Sequence, residues 1–329
     1  AAMLLRPSLR RLSCGLSCHR LSSRTSTAAE ALTPYPFQEV AIKRLLTPGR
    51  RGLLLADEMG LGKTVSVIGA LNREPAIESV LVVAPKSVLH VWSLELSRWL
   101  ARPDLSVGMA SASKGLPKEP TQVLLINYDI VRKHREELDA RGPWDVIVCD
   151  EAHYLKNPEA ARTTALLGET LERTTPSASP HAPVPGALPA RRVWLLTGSP
   201  VLNQPVELFP LLRTLDPHSR TVRRARSFPL FRARYSRREE TRWGVKYFGA
   251  ANTAELRGLL QCTARGMPPL MLRRTKAQVL PDLPAKQHQL LPIDDAKVAR
   301  DELRAIQRLR KELATSGGVT SGGDAQEAG

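Results

Sequence analysis

Five short runs in this chain are apolar through their length rather than at every second position: GLLLA (52–56), SVLVVAP (79–85), QVLLINY (122–128), DVIVCD (145–150) and RVWLLTG (192–198). A strand with one wet face alternates; a run that is apolar on both faces belongs to a strand covered on both sides, as in a parallel sheet. Segments of helix length separate these runs. In SVLHVWSLELSRWL, Val88, Val91, Trp92, Glu95 and Trp99 recur at helical spacing, with Ser87 as the expected N-cap, and Pro205 suits the first position of PVELFPLLRTL. Strands alternating with helices define an α/β class, a parallel sheet with helices on both faces.

The first run leads into LLLADEMGLGKTVSVIGAL (53–71), which lacks the first glycine of the G-x-x-x-x-G-K-[ST] pattern and carries Asp57 there. A strand ending at Ala56, a turn with Gly60 and Gly62, then Lys63, Thr64 and a helix is the context a phosphate cradle requires. Helix-start amides lack internal partners and the dipole is positive there, so the loop suits an anion. Lys63 is expected to reach the β and γ phosphates of a nucleotide, and the Thr64 hydroxyl to ligate Mg²⁺. Alone, the stretch is also compatible with a glycine-rich turn. The run WDVIVCDEAH (144–153) supplies the complement, a strand ending in Asp150 and Glu151. The first carboxylate can hold Mg²⁺ and the second can activate the attacking water, at the strand end where α/β folds place ligands. Asp150 follows Lys63 by 87 residues (150 − 63), with matching strands between.

At these residues the sequence resembles the superfamily-two helicase core, specifically the Swi/Snf-type DNA-dependent ATPases. DEMGLGKT (Asp57, Glu58, Met59, Gly60, Leu61, Gly62, Lys63, Thr64) is the form that family's phosphate loop commonly takes. YPFQ, with Gln38, resembles the adenine-sensing segment; VVAPKSVLHVW resembles motif Ia, LLINYDIV the next DNA-side motif, DEAH motif II and LTGSP motif III, and NQPVELFPLLRTLDP is similar to the continuation. The resemblance spans roughly 33–292. It implies one RecA-like lobe of a P-loop NTPase, ATP and Mg²⁺ as ligands, and His153 coupling nucleotide to motif III. It also implies phosphate-backbone contacts to DNA from Lys86, Ser87, Asn127 and Tyr128, without base specificity. Thr197 and Ser199 either relay nucleotide state to the DNA side or form a structural turn; the family usually has threonine where Ser199 stands. KYFGAANTAELRGLL and LMLRRTKAQVLPDLPAKQ look like the annealing-helicase branch, tied to fork remodelling and reannealing. The family closes a second RecA-like lobe over the nucleotide and draws catalytic arginines from it. After LPAKQHQLLPID this sequence has one charged helical stretch and a Gly-rich tail. The expectation is a chain that binds ATP and turns it over slowly unless the sequence is part of a longer product or a partner supplies that lobe, or else a DNA- and ATP-binding module without turnover.

Charge points the same way. Lys and Arg number 48 against 32 Asp and Glu, a net +16 that favours a polyanionic partner such as DNA. Residues 213–242 hold ten arginines and three acids, with Phe228, Phe231, Tyr235 and Trp243 in or beside them. Guanidinium forks suit phosphates and the rings suit base stacking, or the stretch is a solvated basic linker. Cys14, Cys18, Cys149 and Cys262 form no paired framework, which suits a reducing compartment, and no apolar run reaches the length of a membrane span. His90, His134, His181, His218 and His288 have no ligand spacing. The organisation expected is a basic extension or organelle transit peptide over 1–32, a RecA-like lobe over 33–215, a basic helical extension over 216–292, and a charged helix with a disordered tail over 293–329. TTPSASPHAPVPGALPARR (174–192) is expected to be a flexible surface insertion. The family resemblance favours the nucleus; the Arg- and Ser-rich start leaves mitochondrion or plastid open.

Overall fold

All five apolar runs are strands of one parallel sheet in the computed structural model, which describes residues 33–168, 186–199, 204–216, 228–242, 244–261, 268–284 and 302–308. They are β1 (Gly52–Leu55), β2 (Val80–Ala84), β4 (Val123–Asn127), β5 (Trp144–Cys149) and β6 (Ala190–Leu196). Two short strands complete the sheet: β3 (Val107–Met109) at one edge and β9 (Met271–Leu272) at the other, giving the order β3-β4-β2-β5-β6-β1-β9. Neither carries a readable period, because three and two residues are too few to show one. Residues 1–32, most of the Pro-rich insertion and the Gly-rich tail lie outside the described residues, as does Trp243.

The pleat explains why the runs are apolar at every position. Leu53, Leu55, Val80, Val82, Val146, Val148, Trp194 and Leu196 pack to one side with Ile42, Ile68, Leu89 and Trp92. These come from helices α1 (Pro36–Leu45), α2 (Lys63–Arg73) and α3 (Lys86–Trp99). Leu54, Leu81, Val83, Leu124, Ile126, Ile147, Cys149 and Leu195 point the other way, among side chains of the later helices. Each buried Leu, Ile or Val contributes about 1.5–3 kcal/mol relative to exposure, so a sheet covered on both faces is the minimum for such runs.

Local details depart from expectation. Ser87 does not cap α3: the N-cap is Pro85, Lys86 opens the helix, and Ser87 is exposed. The buried face of α3 is Leu89, Trp92 and Leu96, and Val91 is exposed, because the sheet lies one position away from the stripe read from spacing. Pro205 does open its segment, a 3₁₀ turn (Pro205–Leu208) running into the helix Phe209–Leu215.

The expected basic helical extension is mixed. Helices Phe228–Tyr235 and Thr253–Gln261 flank an antiparallel hairpin of β7 (Arg237–Thr241) and β8 (Gly244–Phe248), and the chain then returns as β9. Phe231 and Tyr235, read as rings for base stacking, are fully buried, and Phe231 and Phe228 pack on Phe209 with centroids 5.1 and 5.6 Å away. An aromatic side chain gains more from burial than from water, and a neighbouring core face was available. Arg213 is likewise turned inward, donating to the carbonyls of Leu167 and Gly168 at 3.2 and 3.0 Å, and burial lowers its pKa to about 10. The chain divides into two units, residues 1–281 and 282–329; in the second, residues 302–308 are helical.

Because Phe231 belongs to the core, Phe231→Ala is expected to lower stability by about 3–5 kcal/mol in denaturant unfolding, while Val245→Ala on the exposed hairpin changes it by less than about 0.5 kcal/mol.

Candidate functional site

Parallel strands end together, so the carboxyl ends of β1 and β5 open on one side of the sheet, separated by β6. From the first comes the loop 56–62, from the second Asp150 and Glu151.

The loop is shaped by backbone that only glycine adopts readily. Gly60 and Gly62 have φ of 87° and 72°, and Gly62 is the left-handed N-cap of α2. A Cβ on Gly62 would stand 2.4 Å from Gln38 Nε2, so the residue is also bare for space. Gln38 is buried and donates from Nε2 to the Leu61 carbonyl at 3.2 Å, while its Oε1 accepts from the Tyr35 amide at 3.0 Å. The expected base-sensing residue thus braces the phosphate loop. Met59 is exposed and its Cγ would lie 2.6 Å from a Cβ on Gly198, so the phosphate loop and LTGSP pass close to each other there. Lys63 opens α2, and its ammonium donates to the carbonyls of Asp57 (2.8 Å) and Glu58 (3.4 Å). Thr64 follows in the same turn, half-buried. The carboxylates of Asp57 and Glu58 point away from the cradle, the first to Arg274 and the second to the Lys276 amide at 2.7 Å.

Asp150 is buried, and both its oxygens are engaged: Oδ2 accepts from Trp92 Nε1 at 2.8 Å and Oδ1 from the Glu151 amide at 2.9 Å. Glu151 is left-handed (φ 48°, ψ 51°), a conformation a non-glycine side chain resists. It turns the chain out of β5 into the 3₁₀ helix Ala152–Leu155. His153 Nδ1 lies 3.0 Å from Glu151 Oε2, close enough for an ion pair when protonated, though off the angle of a hydrogen bond.

The electrostatics couple the two halves. Burial lowers the pKa of Lys63, opposed by the negative charges of Glu151, Asp150 and Asp57. Burial raises that of Asp150, opposed by the Trp92 and Glu151 hydrogen bonds and by Lys63 and His153. The cation and the two acids therefore share one site. It suits a polyphosphate at the loop, and the all-oxygen donors Asp150 and Thr64 suit a hard divalent cation that keeps waters in its shell.

On the far side of β5 lies an open cavity of about 570 Å³ lined by Pro85, Lys86, Ser87, Tyr128, Asp129 and Tyr154. Lys86 and Ser87 are exposed at the start of α3. Asn127 and Tyr128 are buried instead. Asn127 Oδ1 accepts from the amides of Asp129 and Ile130 and caps the short helix Tyr128–Val131. Tyr128 donates its hydroxyl to the Asp150 carbonyl at 2.7 Å and stacks on Tyr154, centroids 5.4 Å apart. These two residues thus tie the cavity to the acidic end of β5. Thr197 Oγ1 accepts from the Ser199 amide at 3.1 Å, forming a turn. Sequence reasoning passed over Trp92 as an Asp150 partner, since it was visible only as a helical repeat position. It also passed over Arg273, Arg274 and Lys276, whose run was quoted but given no role.

A family model described as "SNF2-related domain" matches residues 37–304. The Xenopus tropicalis protein named SWI/SNF-related matrix-associated actin-dependent regulator of chromatin subfamily A-like protein 1 is 31% identical over 288 residues, covering 85% of this chain and 26% of that protein. The Mus musculus protein named DNA annealing helicase and endonuclease ZRANB3 is 31% identical over 279 residues, covering 82% of this chain and 23% of its own. Among solved structures, the Sulfolobus solfataricus SWI2/SNF2 ATPase core in complex with dsDNA superposes with a TM-score of 0.53 at 25% identity, over 75% of this chain and 47% of that one. The chain spans about a quarter of the length of the curated relatives it matches.

The Asp150 carboxyl is expected to titrate above the ordinary carboxylate range by side-chain NMR, and higher still in Trp92→Phe, which removes a donor that holds its pKa down. Because the folded pKa is raised, Asp150 favours folding most at low pH, and this contribution is lost as pH rises from its unfolded value of 3.8 through the folded one.

Proposed function

The chain belongs to the SNF2-related family, and from that premise we propose that it is the ATP-binding lobe of a DNA-dependent ATPase that translocates on duplex or forked DNA in remodelling, reannealing or repair. One observation carries this reading: β1 and β5 run parallel in one sheet, so Lys63 at the start of α2 and Asp150 with Glu151 at the end of β5 stand at the same edge, where the negative charges of both acids act on the Lys63 ammonium. A solvated strand end and an unrelated glycine turn would have no reason to do so.

Each residue then has a task. Lys63 exchanges its two loop carbonyls for the β and γ phosphates, and the loop and α2 amides receive the remaining oxygens. Thr64 and Asp150 are the residues that would hold Mg²⁺, which neutralises charge on the transferring phosphoryl group. Trp92 and the Glu151 amide fix the Asp150 carboxylate in place. Glu151 accepts the proton of the attacking water, and its strained backbone and the nearby His153 set its direction. Gln38 holds the loop at Leu61, a brace through which occupancy of the base-side segment acts on the phosphates.

DNA contact falls to the cavity beside β5. Lys86 and Ser87, exposed at the positive end of a 14-residue helix, face phosphate oxygens, while Asn127 and Tyr128 act as struts behind them. The hydroxyl of Tyr128 on the Asp150 carbonyl is a direct mechanical link between the two sites. Arginines from a second RecA-like lobe, in a longer chain or a partner, would stabilise the transition state; such groups contribute about 10³–10⁵ in turnover. The second reading, a binding module without turnover, differs in that step alone. The nucleus is the compartment that follows from work on chromosomal DNA. A mitochondrial or plastid destination is the alternative, decided by mapping the N-terminus of the cellular protein.

Three variants of the 329-residue chain test the assignment. Lys63→Ala is expected to abolish Mg·ATP binding in calorimetry. Glu151→Gln should keep binding and lose about 10²–10⁴ of whatever DNA-stimulated hydrolysis the wild type shows. Lys86→Ala should weaken binding of a duplex uniformly across sequences and flatten the salt dependence by about one phosphate contact. Binding without turnover on any DNA would select the second reading.

A further inference from the structure

The ladder between β1 and β9 does not stop where the strands do. The amides of Leu54, Ala56 and Glu58 donate in turn to the carbonyls of Leu270, Leu272 and Arg274, at 3.0, 2.7 and 2.9 Å. The phosphate loop therefore begins while still paired, and Asp57 sits inside the paired stretch. Asp57 is 2% exposed, a position an unpartnered charge does not tolerate. Arg274 satisfies it threefold: its backbone amide and Nε donate to Oδ1 at 3.0 and 3.1 Å, and a terminal nitrogen donates to Oδ2. The other terminal nitrogen donates to the carbonyl of Phe37, in the segment before Gln38, at 2.5 Å, and the guanidinium lies 5.8 Å from the centre of the Phe37 ring. Its neighbour Arg273 donates to the carbonyls of Ala56 and Gly198 at 3.2 and 3.4 Å. One short segment, 217 residues on from Asp57, thus grips the base-side segment, the phosphate loop and motif III together.

We propose that Arg274 is a positioning residue of the nucleotide site, acting through Asp57. This rests on the reading of the loop as a Mg·ATP site and adds to it a residue outside the motifs that define that site. The strict loop pattern has glycine at position 57 and leaves its peptide free; here Asp57 is fixed by its side chain instead, and the same residue's carbonyl is the acceptor that holds Lys63 at 2.8 Å. Arg274 therefore fixes the loop backbone on which the Lys63 ammonium rests before the phosphates take it over, and acts without touching nucleotide itself. A planar fork is needed for this, since a point charge would leave one oxygen or the Phe37 carbonyl unbonded.

The test is a double-mutant cycle in Mg·ATP affinity on the whole chain, with Tm measured alongside. Arg274→Ala and Asp57→Gly, the latter restoring the glycine of the strict pattern, are each expected to weaken Mg·ATP about tenfold. The double variant should be no weaker than the weaker single one, because each removes the same clamp. Arg274→Lys should recover only part of the loss. Folded Arg274→Ala with affinity within about twofold of wild type, or losses that multiply in the double variant, overturns the proposal. A merely structural pair would couple in Tm and leave affinity unchanged. Should Arg274→Ala not fold, Arg274→Lys and Asp57→Asn complete the same cycle. Wild type that fails to bind Mg·ATP would sink both readings, whereas wild-type binding that is lost in Lys63→Ala but kept in Arg274→Ala sinks this one alone.

Discussion

Parallel pairing is the constraint from which the rest of this lobe follows. Strands that run the same way finish at the same edge, and only there can a loop from β1 and an acidic pair from β5 face each other across β6. The requirement propagates inward. Each parallel connection needs a crossover, the crossovers cover both faces, and the strands between must then be apolar on both. The runs of Leu and Val and the acidic rim are two ends of one requirement.

The charge of this chain is spent in two places. A net +16 reads as a surface for polyanions, yet several guanidiniums are structural. Arg44 and Arg50 donate to the carbonyls of Pro269 and Pro268, Arg273 and Arg274 hold the loop, and Arg213 ties the helix Phe209–Leu215 to the carbonyls of Leu167 and Gly168. Arginine suits this work because its fork bonds several carbonyls at once and its charge survives partial burial. Guanidiniums engaged in this way do not face solvent freely, so the surface is less basic than composition suggests.

How much was legible depended on whether the signal was local. The five strands, the glycine turn with Lys63 and Thr64, and the DEAH box stood in the sequence because burial on two faces, positive φ and adjacent acids each leave a mark within ten residues. The face of α3 did not: Val91 and Leu96 are equally apolar, and only the position of the sheet decides that Leu96 is buried and Val91 is not. Phe231 and Tyr235 likewise looked free because nothing nearby in sequence announces that Phe231 packs on Phe209, with Tyr235 against Phe231 in turn. Asn127 and Tyr128 were found as a motif, but their direction, inward to a helix cap and to the Asp150 carbonyl, belongs to the fold.

The sequence by itself determined the class of fold, the two strand ends that make the site, and the chemistry those ends can hold, because each rests on contacts within a few residues. Tertiary structure alone decided which groups stand behind them. Trp92 on Asp150, Gln38 on Leu61 and Arg274 on Asp57 are partners 58, 23 and 217 residues apart. Their pairing follows from the sheet order and register, and no residue in the chain carries a mark of the partner that register will bring to it.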